Sequence, residues 1–400
     1  MKIQTPSILI VLMLVCAAGA GSNLQAVVPP PDGGYPGGNT AEGQNALLSL
    51  TTGGFNTGVG FLSLRTNSTG GFNTAVGAGT LLANTGDNNT ATGAGALLSN
   101  TSGFNNTANG TLALFSNTQG DSNTAYGLTA LFANTIGAQN TAVGLGALTH
   151  NTEGGINTAV GLIALSSNTT GTANTAVGAN ALGSNDGGNQ NTAVGQFALG
   201  NNINGTSNIA LGSSAGTGVT TADNVICIGA AGQNVANSCY IGQIFGVTSS
   251  GGLAVFVNAD GKLGTATSSR RFKEAIAPMD STSEVLFALK PVAFRYKKEI
   301  DPAGLSQFGL VAEEVEKVSP DLVVRDKEGK PYSVRYDQVN AMLLNEFLKE
   351  HRKVEQLEKD LRSTIAQQQK RIEMLTAGLQ EVSAQLEISK ATPQTAFNNY

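Results

Sequence analysis

A repeat of 17 residues governs about half of this 400-residue chain. Three successive copies read LTALFANTIGAQNTAVG (Leu128–Gly144), LGALTHNTEGGINTAVG (Leu145–Gly161) and LIALSSNTTGTANTAVG (Leu162–Gly178). Glycines close the units at a constant step from Gly110 to Gly229, and the pattern extends over residues 44–246. A single unit cannot bury its own apolar residues, so the copies must stack on one another.

Each unit holds two short apolar runs, NTAVG and xALxxNT, separated by glycine and asparagine. Short runs with such corners predict a parallel β-solenoid, with Asn and Gly in the left-handed backbone conformation at the corners. Stacking then predicts ladders of Asn and Thr along the shaft. The apolar residues are small, so the core of each coil is thin. We therefore expect neighbouring chains in a trimer to bury the remainder.

Charge divides the chain sharply at Ser268. Only three of the 23 basic residues and eight of the 28 acidic residues precede it, so the last third is densely charged but neutral overall. No basic excess is present to neutralise phosphates, and we expect no nucleic-acid partner. The acids of the repeat stand singly, which argues against the paired carboxylates of a glycoside hydrolase.

The N-terminus has the pattern of an export signal. Lys2 followed by the apolar run Ile8–Ala20 is typical of a Sec-type signal peptide, expected over residues 1–26, and predicts a secreted or cell-surface protein. The alternatives are an uncleaved membrane anchor and, through Cys16, a lipoprotein. A Pro- and Gly-rich linker follows at residues 27–43. No membrane span is expected after removal of the signal.

Two cysteines, Cys227 and Cys239, remain after such removal. Export permits a disulfide between them, and two buried thiols on neighbouring turns of a sheet fit the sequence equally well. His150 and His351 are the two histidines, and no cluster has metal-ligand spacing. We therefore expect no metal and no other cofactor.

The repeat decays towards its end, and a different pattern follows. Residues 247–267 predict a hairpin that ends the shaft, with its turn at Asn258–Gly261. The next segments predict a helix at Ser281–Lys290 capped by Ser281 or Ser283, a strand at Pro291–Lys297, a strand and short helix at Gln307–Val318, and a hairpin at Asp321–Tyr336. A long helix is expected from Tyr336 to Lys390.

A heptad pattern covers residues 340–390 of this helix. The a positions are Leu344, His351, Glu358, Ile365, Ile372, Leu379 and Leu386, and the d positions are Phe347, Val354, Leu361, Gln368, Leu375 and Val382. Most are apolar, which predicts a coiled coil, and the fibre context favours three strands. The alternative is a single amphipathic helix folded back on its own domain.

Four motifs carry a family resemblance. SSRRFKEAI, LKPVAFRYK, FGLVAEEVEKVSPDLVV and YSVRYDQVNAMLLNEFLKE occur in this order before the coiled coil. They resemble the intramolecular chaperone auto-processing domain that ends phage endosialidase tailspikes, other tail fibres and many bacterial surface proteins (serine peptidase family seventy-four). The resemblance implies that residues 268–361 form a homotrimer, assist the folding of a β-rich fibre and then cut themselves off. The repeats resemble the β-roll heads of trimeric autotransporter adhesins, with a longer period.

The chaperone resemblance also implies a catalytic pair. It places the nucleophile at Ser268 and the base at Lys273, with the scissile bond between Thr267 and Ser268. A serine hydroxyl needs such a base to become a good nucleophile. A lysine accepts the proton only where burial or nearby cations favour its neutral amine.

Three neighbours of this pair are auxiliary candidates. Arg270 and Arg271 could supply part of the cationic field. Ser269 stands where family members often carry Asp, and it is a rival nucleophile. The expected activity is that of an autocatalytic serine endopeptidase that acts once in cis, with no turnover on an external substrate.

The expected architecture is therefore a mainly β repeat shaft followed by a small α+β domain and a long coiled-coil helix. The expected function is that of an exported trimeric fibre or adhesin-like protein matured by self-cleavage, with a host, matrix or cell-surface ligand as a further partner. The alternative is the same fibre with an inactive C-terminal domain that remains attached as a trimerisation clamp.

Overall fold

The computed structural model describes residues 35–390, which form two compact units divided between Thr248 and Ser249. The expected signal peptide and the first part of the linker lie outside the described residues. Over residues 35–390, no helix combines the length and the hydropathy needed to cross a membrane.

The first unit is a parallel β-solenoid, as the repeat predicts. Thirteen strands of three residues, β1 to β13, form one sheet in which each strand pairs with the next along the chain. They are Thr40–Glu42, Thr57–Val59, Thr74–Val76, Thr90–Thr92, Thr107–Asn109, Thr124–Tyr126, Thr141–Val143, Thr158–Val160, Thr175–Val177, Thr192–Val194, Ile209–Leu211, Ile226–Ile228 and Cys239–Ile241. The register places Ala159 of β8 beside Ala176 of β9, so equivalent residues stack on one another.

Each turn contains one strand, formed by only one of the two apolar runs of the unit. NTAVG forms the strand, whereas xALxxNT forms consecutive turns. Leu148 and Leu165 in this second run are fully buried but adopt the left-handed conformation, with φ of 53° and 51°. That conformation costs about 1–2 kcal/mol per residue. Burying a leucine side chain stabilises by about 1.5–3 kcal/mol, so burial offsets the strain.

The corners are accordingly different from those expected. Glycine does occupy one left-handed position in each turn, but leucine occupies another, and the repeated asparagines turn inwards. Gly161 has a φ of 138°, and a Cβ atom there would lie 2.6 Å from the carbonyl oxygen of Gly178 in the next turn. Only glycine fits a position that combines this backbone conformation with so close an approach.

Two asparagine ladders run through the buried interior of the solenoid. In the first, the backbone N–H of Asn174 donates to Oδ1 of Asn157 at 3.0 Å, and Nδ2 of Asn157 donates to the carbonyl of Gly171 at 2.8 Å. In the second, Nδ2 of Asn168 donates to Oδ1 of Asn151 at 2.8 Å. Within residues 35–390, no buried side-chain nitrogen or oxygen lacks a partner. The ladders therefore carry polar groups through the core without leaving them unsatisfied.

The unit that ends at Gly93 is one residue short, and its loop absorbs the deletion. The chain between Asn84 and Asn89 is one residue shorter than the equivalent segment of the preceding unit. The backbone N–H of Asn89 still donates to Oδ1 of Asn73, at 2.9 Å. The ladder therefore continues through the irregular turn.

Both cysteines described are free thiols, on opposite faces of the sheet. The register pairs Cys227 of β12 with Tyr240, and pairs Cys239 of β13 with Ile226. Because successive residues of a strand point to opposite faces, Cys227 is buried and Cys239 is exposed. This arrangement forms neither the disulfide nor the pair of buried thiols considered above. Burial raises the pKa of the Cys227 thiol, and the neighbouring Cys239 raises it further.

The second unit consists of small sheets and helices. Three antiparallel pairs of strands are β14 (Val255–Val257) with β15 (Leu263–Thr265), β16 (Val292–Phe294) with β17 (Gln307–Gly309), and β18 (Val323–Arg325) with β19 (Pro331–Val334). The helices are 3₁₀ segments at Arg270–Phe272, Asp280–Ala288 and Pro320–Leu322, a short α-helix at Ala312–Val318 and a long α-helix at Tyr336–Lys390.

The predicted serine cap is wrong. The helix expected at Ser281–Lys290 is the 3₁₀ helix Asp280–Ala288, and its N-cap is Met279, with no side-chain cap hydrogen bond. Ser283 instead lies inside the helix and is buried. Its hydroxyl is used in a tertiary contact, which outweighs the local capping preference.

Replacing Gly161 by alanine is expected to destabilise the solenoid by about 2 kcal/mol or more, because the methyl group meets the next turn and φ becomes unfavourable. Thermal unfolding followed by circular dichroism would measure the loss.

Gly155→Ala is the matched control for this substitution. Gly155 has no left-handed φ, and the equivalent positions of the adjacent turns hold Ala138 and Thr172. Equal melting temperatures for the two variants would contradict the proposed role of the closing glycine.

Candidate active site

The hairpin of β14 and β15 leads directly into the predicted cleavage site. Oδ1 of Asn258 accepts hydrogen bonds from the backbone N–H groups of Asp260, at 3.1 Å, and Lys262, at 2.8 Å. These bonds close the turn between the strands, because an asparagine side chain mimics the backbone of a turn. β15 ends at Thr265, two residues before Thr267.

A single 3₁₀ turn then brings Lys273 back towards Ser268. The turn spans Arg270–Phe272, and the N–H of Phe272 donates to the carbonyl of Ser269 at 3.0 Å. The N–H of Lys273 donates to the carbonyl of Arg270 at 3.1 Å. The tighter winding of this helix type reverses the chain within few residues.

Nζ of Lys273 lies 3.1 Å from Oγ of Ser268 and donates a hydrogen bond to it. The structure thus brings together the two side chains that the family resemblance identifies as nucleophile and base. This separation is within the range needed for direct proton transfer. Catalysis by this pair needs a neutral lysine amine that accepts the serine proton.

The surroundings of the pair are open in the single chain. Ser268 and Lys273 are both exposed, as are the neighbouring residues of the turn. The guanidinium of Arg271 lies over the ring of Phe272, 4.6 Å from its centroid. Arg270 and Ser269 contribute backbone carbonyls to the turn, and Ser269 makes no side-chain cap hydrogen bond. Burial, which would favour a neutral lysine, is therefore not supplied to Lys273 by residues 35–390 of the single chain.

A partly buried polar cluster connects this domain to its long helix, and sequence reasoning missed it. The hydroxyl of Ser283 donates to Oε1 of Glu346 and accepts a 2.7 Å hydrogen bond from Nδ2 of Asn345. The same Nδ2 donates to the carbonyl of Asp280 at 3.0 Å. Nζ of Lys349 completes the cluster, 2.8 Å from Oε1 of Glu346. Spacing along the helix places Asn345, Glu346 and Lys349 near one another, but no sequence signal points to Ser283.

The cluster perturbs the protonation of both its charged members. The hydrogen bonds from Lys349 and Ser283 lower the pKa of the Glu346 carboxyl. The hydrogen bond to Glu346 raises the pKa of Lys349. The charged forms therefore stabilise the folded state, and the contribution is complete only where Glu346 is ionised and Lys349 is protonated.

The long helix exposes the whole apolar seam defined by the a and d positions. The exposed fractions of its leucine, isoleucine, valine and phenylalanine side chains range from 49% at Val354 to 69% at Leu379. The alternative of a helix folded back along its own domain does not describe this segment. Near its start the helix does pack on the domain, where Met342 is buried with Val315 and Leu322.

Acidification is expected to weaken the attachment of the long helix. The pKa of Glu346 is lower in the folded chain than in the unfolded chain, so stability is lost as the pH falls through the folded value. The far-ultraviolet helix signal during thermal unfolding, measured from neutral to acid pH, would record this loss.

Glu346→Gln removes the titrating group and keeps a hydrogen-bonding side chain of similar shape. It should flatten part of the acid dependence, whereas Glu381→Gln, at an exposed position of the same helix, should leave the dependence unchanged. An identical pH profile in all three proteins would contradict the assigned role of Glu346.

Comparison with known families supports the sequence resemblance. Residues 268–324 match the family model described as chaperone of endosialidase, a peptidase family. Searches of curated proteins and of solved structures find no significant match. The match begins at Ser268 and includes Lys273, so the 3.1 Å contact lies at its start. Residues 268–324 of this chain are thus similar to the chaperone-of-endosialidase family, and they follow a parallel β-solenoid in the sequence.

Proposed function

We propose that this protein is an exported, homotrimeric fibre whose C-terminal domain assists trimer folding and then cleaves its own chain between Thr267 and Ser268. The chaperone domain and the solenoid together fit a tailspike- or fibre-like protein. The observation that carries the cleavage proposal is the 3.1 Å separation of Lys273 Nζ and Ser268 Oγ.

The proposed reaction begins with an acyl shift at Ser268. Neutral Lys273 accepts the hydroxyl proton while Oγ attacks the carbonyl carbon of Thr267, forming a five-membered cyclic intermediate. The bond between that carbon and the backbone nitrogen of Ser268 then breaks, and Lys273 returns the proton to the nitrogen. The product is an ester between the Thr267 carbonyl and Oγ. Because nucleophile and carbonyl belong to adjacent residues, their effective concentration is high.

Hydrolysis completes the reaction. Water attacks the ester, and its oxygen ends on the new carboxylate of Thr267. The bond to Oγ breaks, so that Ser268 recovers its hydroxyl and begins the C-terminal product with a free amino group. The serine is regenerated but no longer has an attached carbonyl to attack. The domain therefore acts once.

Trimer assembly would provide the protection from water that the single chain lacks. The seam of the long helix is exposed over its length, and three copies would bury it as a coiled coil. We propose that neighbouring copies also cover Ser268 and Lys273, so that the lysine loses its proton only after assembly. Cleavage would then follow folding rather than precede it.

Mass analysis of the purified full-length chain tests the cleavage proposal. The expected result is two fragments that meet at Thr267 and Ser268 on a denaturing gel, and their complete loss in Ser268→Ala and Lys273→Ala. Ser269→Ala is the matched control and should still be cleaved. The mass of the N-terminal fragment also reports whether and where the expected signal peptide is removed.

Two outcomes would contradict this assignment. Cleavage that persists in Ser268→Ala but disappears in Ser269→Ala would make Ser269 the nucleophile. An intact wild-type chain that sediments as a trimer would favour the alternative of a permanent trimerisation clamp.

Charging the seam tests the coupling between assembly and cleavage. The double variant Ile365→Lys and Ile372→Lys places two lysines at buried coiled-coil positions, so it should prevent trimer formation and reduce cleavage strongly. Arg362→Lys and Lys370→Arg, at exposed positions outside the seam, form the matched control. Full cleavage by a monomeric variant would show that the site does not need neighbouring copies.

A further inference from the structure

One outward-facing column of the solenoid sheet is apolar over many consecutive turns. The middle residue of each strand points into the core, and the first and third residues point outwards. The third residue is Tyr, Val, Leu or Ile in every strand from β6 to β13. Val177, Val194, Leu211 and Ile228 in this column are 38–41% exposed. We call it the outer column; no described segment of the chain covers it.

The outer column widens at its C-terminal end. In β7 to β10 the first residue of the strand is threonine, but Ile209 and Ile226 take this place in β11 and β12, and Cys239 in β13. Ile209 and Ile226 are 39% and 37% exposed. The last three turns therefore present two adjacent apolar columns. A soluble monomer rarely exposes so continuous an apolar surface.

Other outward positions of the repeat do not keep this character. The residue after the closing glycine is leucine in three successive turns, at Leu128, Leu145 and Leu162, but Gln196 and Ser213 take this place in later turns. The loops carry the acidic residues of the shaft, such as Glu153. The apolar requirement is therefore specific to the outer column.

The occupant that suits this surface is another copy of the same shaft. Neighbouring strands lie about 4.8 Å apart, so the side chains of the outer column recur at that spacing, and an identical column repeats it in register. Copies arranged around a symmetry axis bring equivalent residues together, so a charged residue would meet itself. No strand from β6 to β13 carries a charged residue.

We propose that the outer columns of three copies pack against one another about a threefold axis and form the interface of the shaft. This inference rests on the proposed homotrimer and names the surface that each copy contributes. It also places Cys239 of each copy near Cys239 of the next, because this thiol belongs to the widened end of the surface.

Cross-linking of the purified full-length chain tests the interface. A short bifunctional maleimide should link wild-type chains into dimers on a denaturing gel, and Cys239→Ser should abolish the link. Val177→Cys, introduced into the Cys239→Ser chain, should restore it. Ser167→Cys on the same background is the matched control, since Ser167 is exposed within the xALxxNT turns rather than on the sheet.

The proposal expects at least about tenfold more linked dimer for Val177→Cys than for Ser167→Cys, because thiols held at an interface react at high effective concentration. Equal linking of the two variants, or no linking of Val177→Cys in a chain that sediments as a trimer, would overturn it while leaving the homotrimer intact. A monomeric chain would overturn both. Cleavage is read from the fragments on the same gel, so its failure is recognised separately.

Discussion

The structure of the shaft depends on the direct contact of each turn with the next. Backbone N–H groups of one turn donate to carbonyls of the neighbouring turn, as when Leu148 donates to Ala164 at 3.0 Å. Only glycine permits this approach at the closing position, where a Cβ atom at Gly161 would lie 2.6 Å from the next turn. The buried asparagines exist for the same reason, because a coil this narrow brings backbone polar groups into the core and they need partners there. The sequence repeats every 17 residues because every turn must make this contact with the next.

The C-terminal unit is stabilised in a different way from the shaft. Its apolar core is small, whereas the apolar seam of its long helix is exposed. The cluster around Ser283 and Glu346 attaches the start of that helix to the domain by hydrogen bonds and charge. In the proposed function, other copies bury the seam, which stabilises the helix, and also cover Lys273, which excludes water from it. Folding and chemistry would then share one requirement, which is assembly.

Some elements could be predicted from the sequence because they depend on residues that are close together in the chain. The solenoid, the hairpin turn at Asn258 and the long helix starting at Tyr336 follow from periodicity and turn chemistry. The proposed site could be predicted because its motifs occur in a fixed order. A 3₁₀ turn between Ser269 and Lys273 is compatible with the five-residue spacing of Ser268 and Lys273. The left-handed conformation of the leucines could not be predicted, because leucine has no local preference for it and adopts it only where stacking buries the side chain. Ser283 was misassigned as a cap because its partners lie about 60 residues away in the chain.

The sequence by itself determined the repeat period, the position of the charge boundary at Ser268 and the residues from which a nucleophile and base could be drawn. Those properties depend on spacing and composition, which the linear chain contains in full. Only the tertiary structure decided that each turn has one strand, that Cys227 and Cys239 face opposite ways, and that Lys273 reaches Ser268 while both remain exposed. These outcomes depend on which side chains are buried in a thin coil and a small domain. Burial is decided only when the turns and helices pack together.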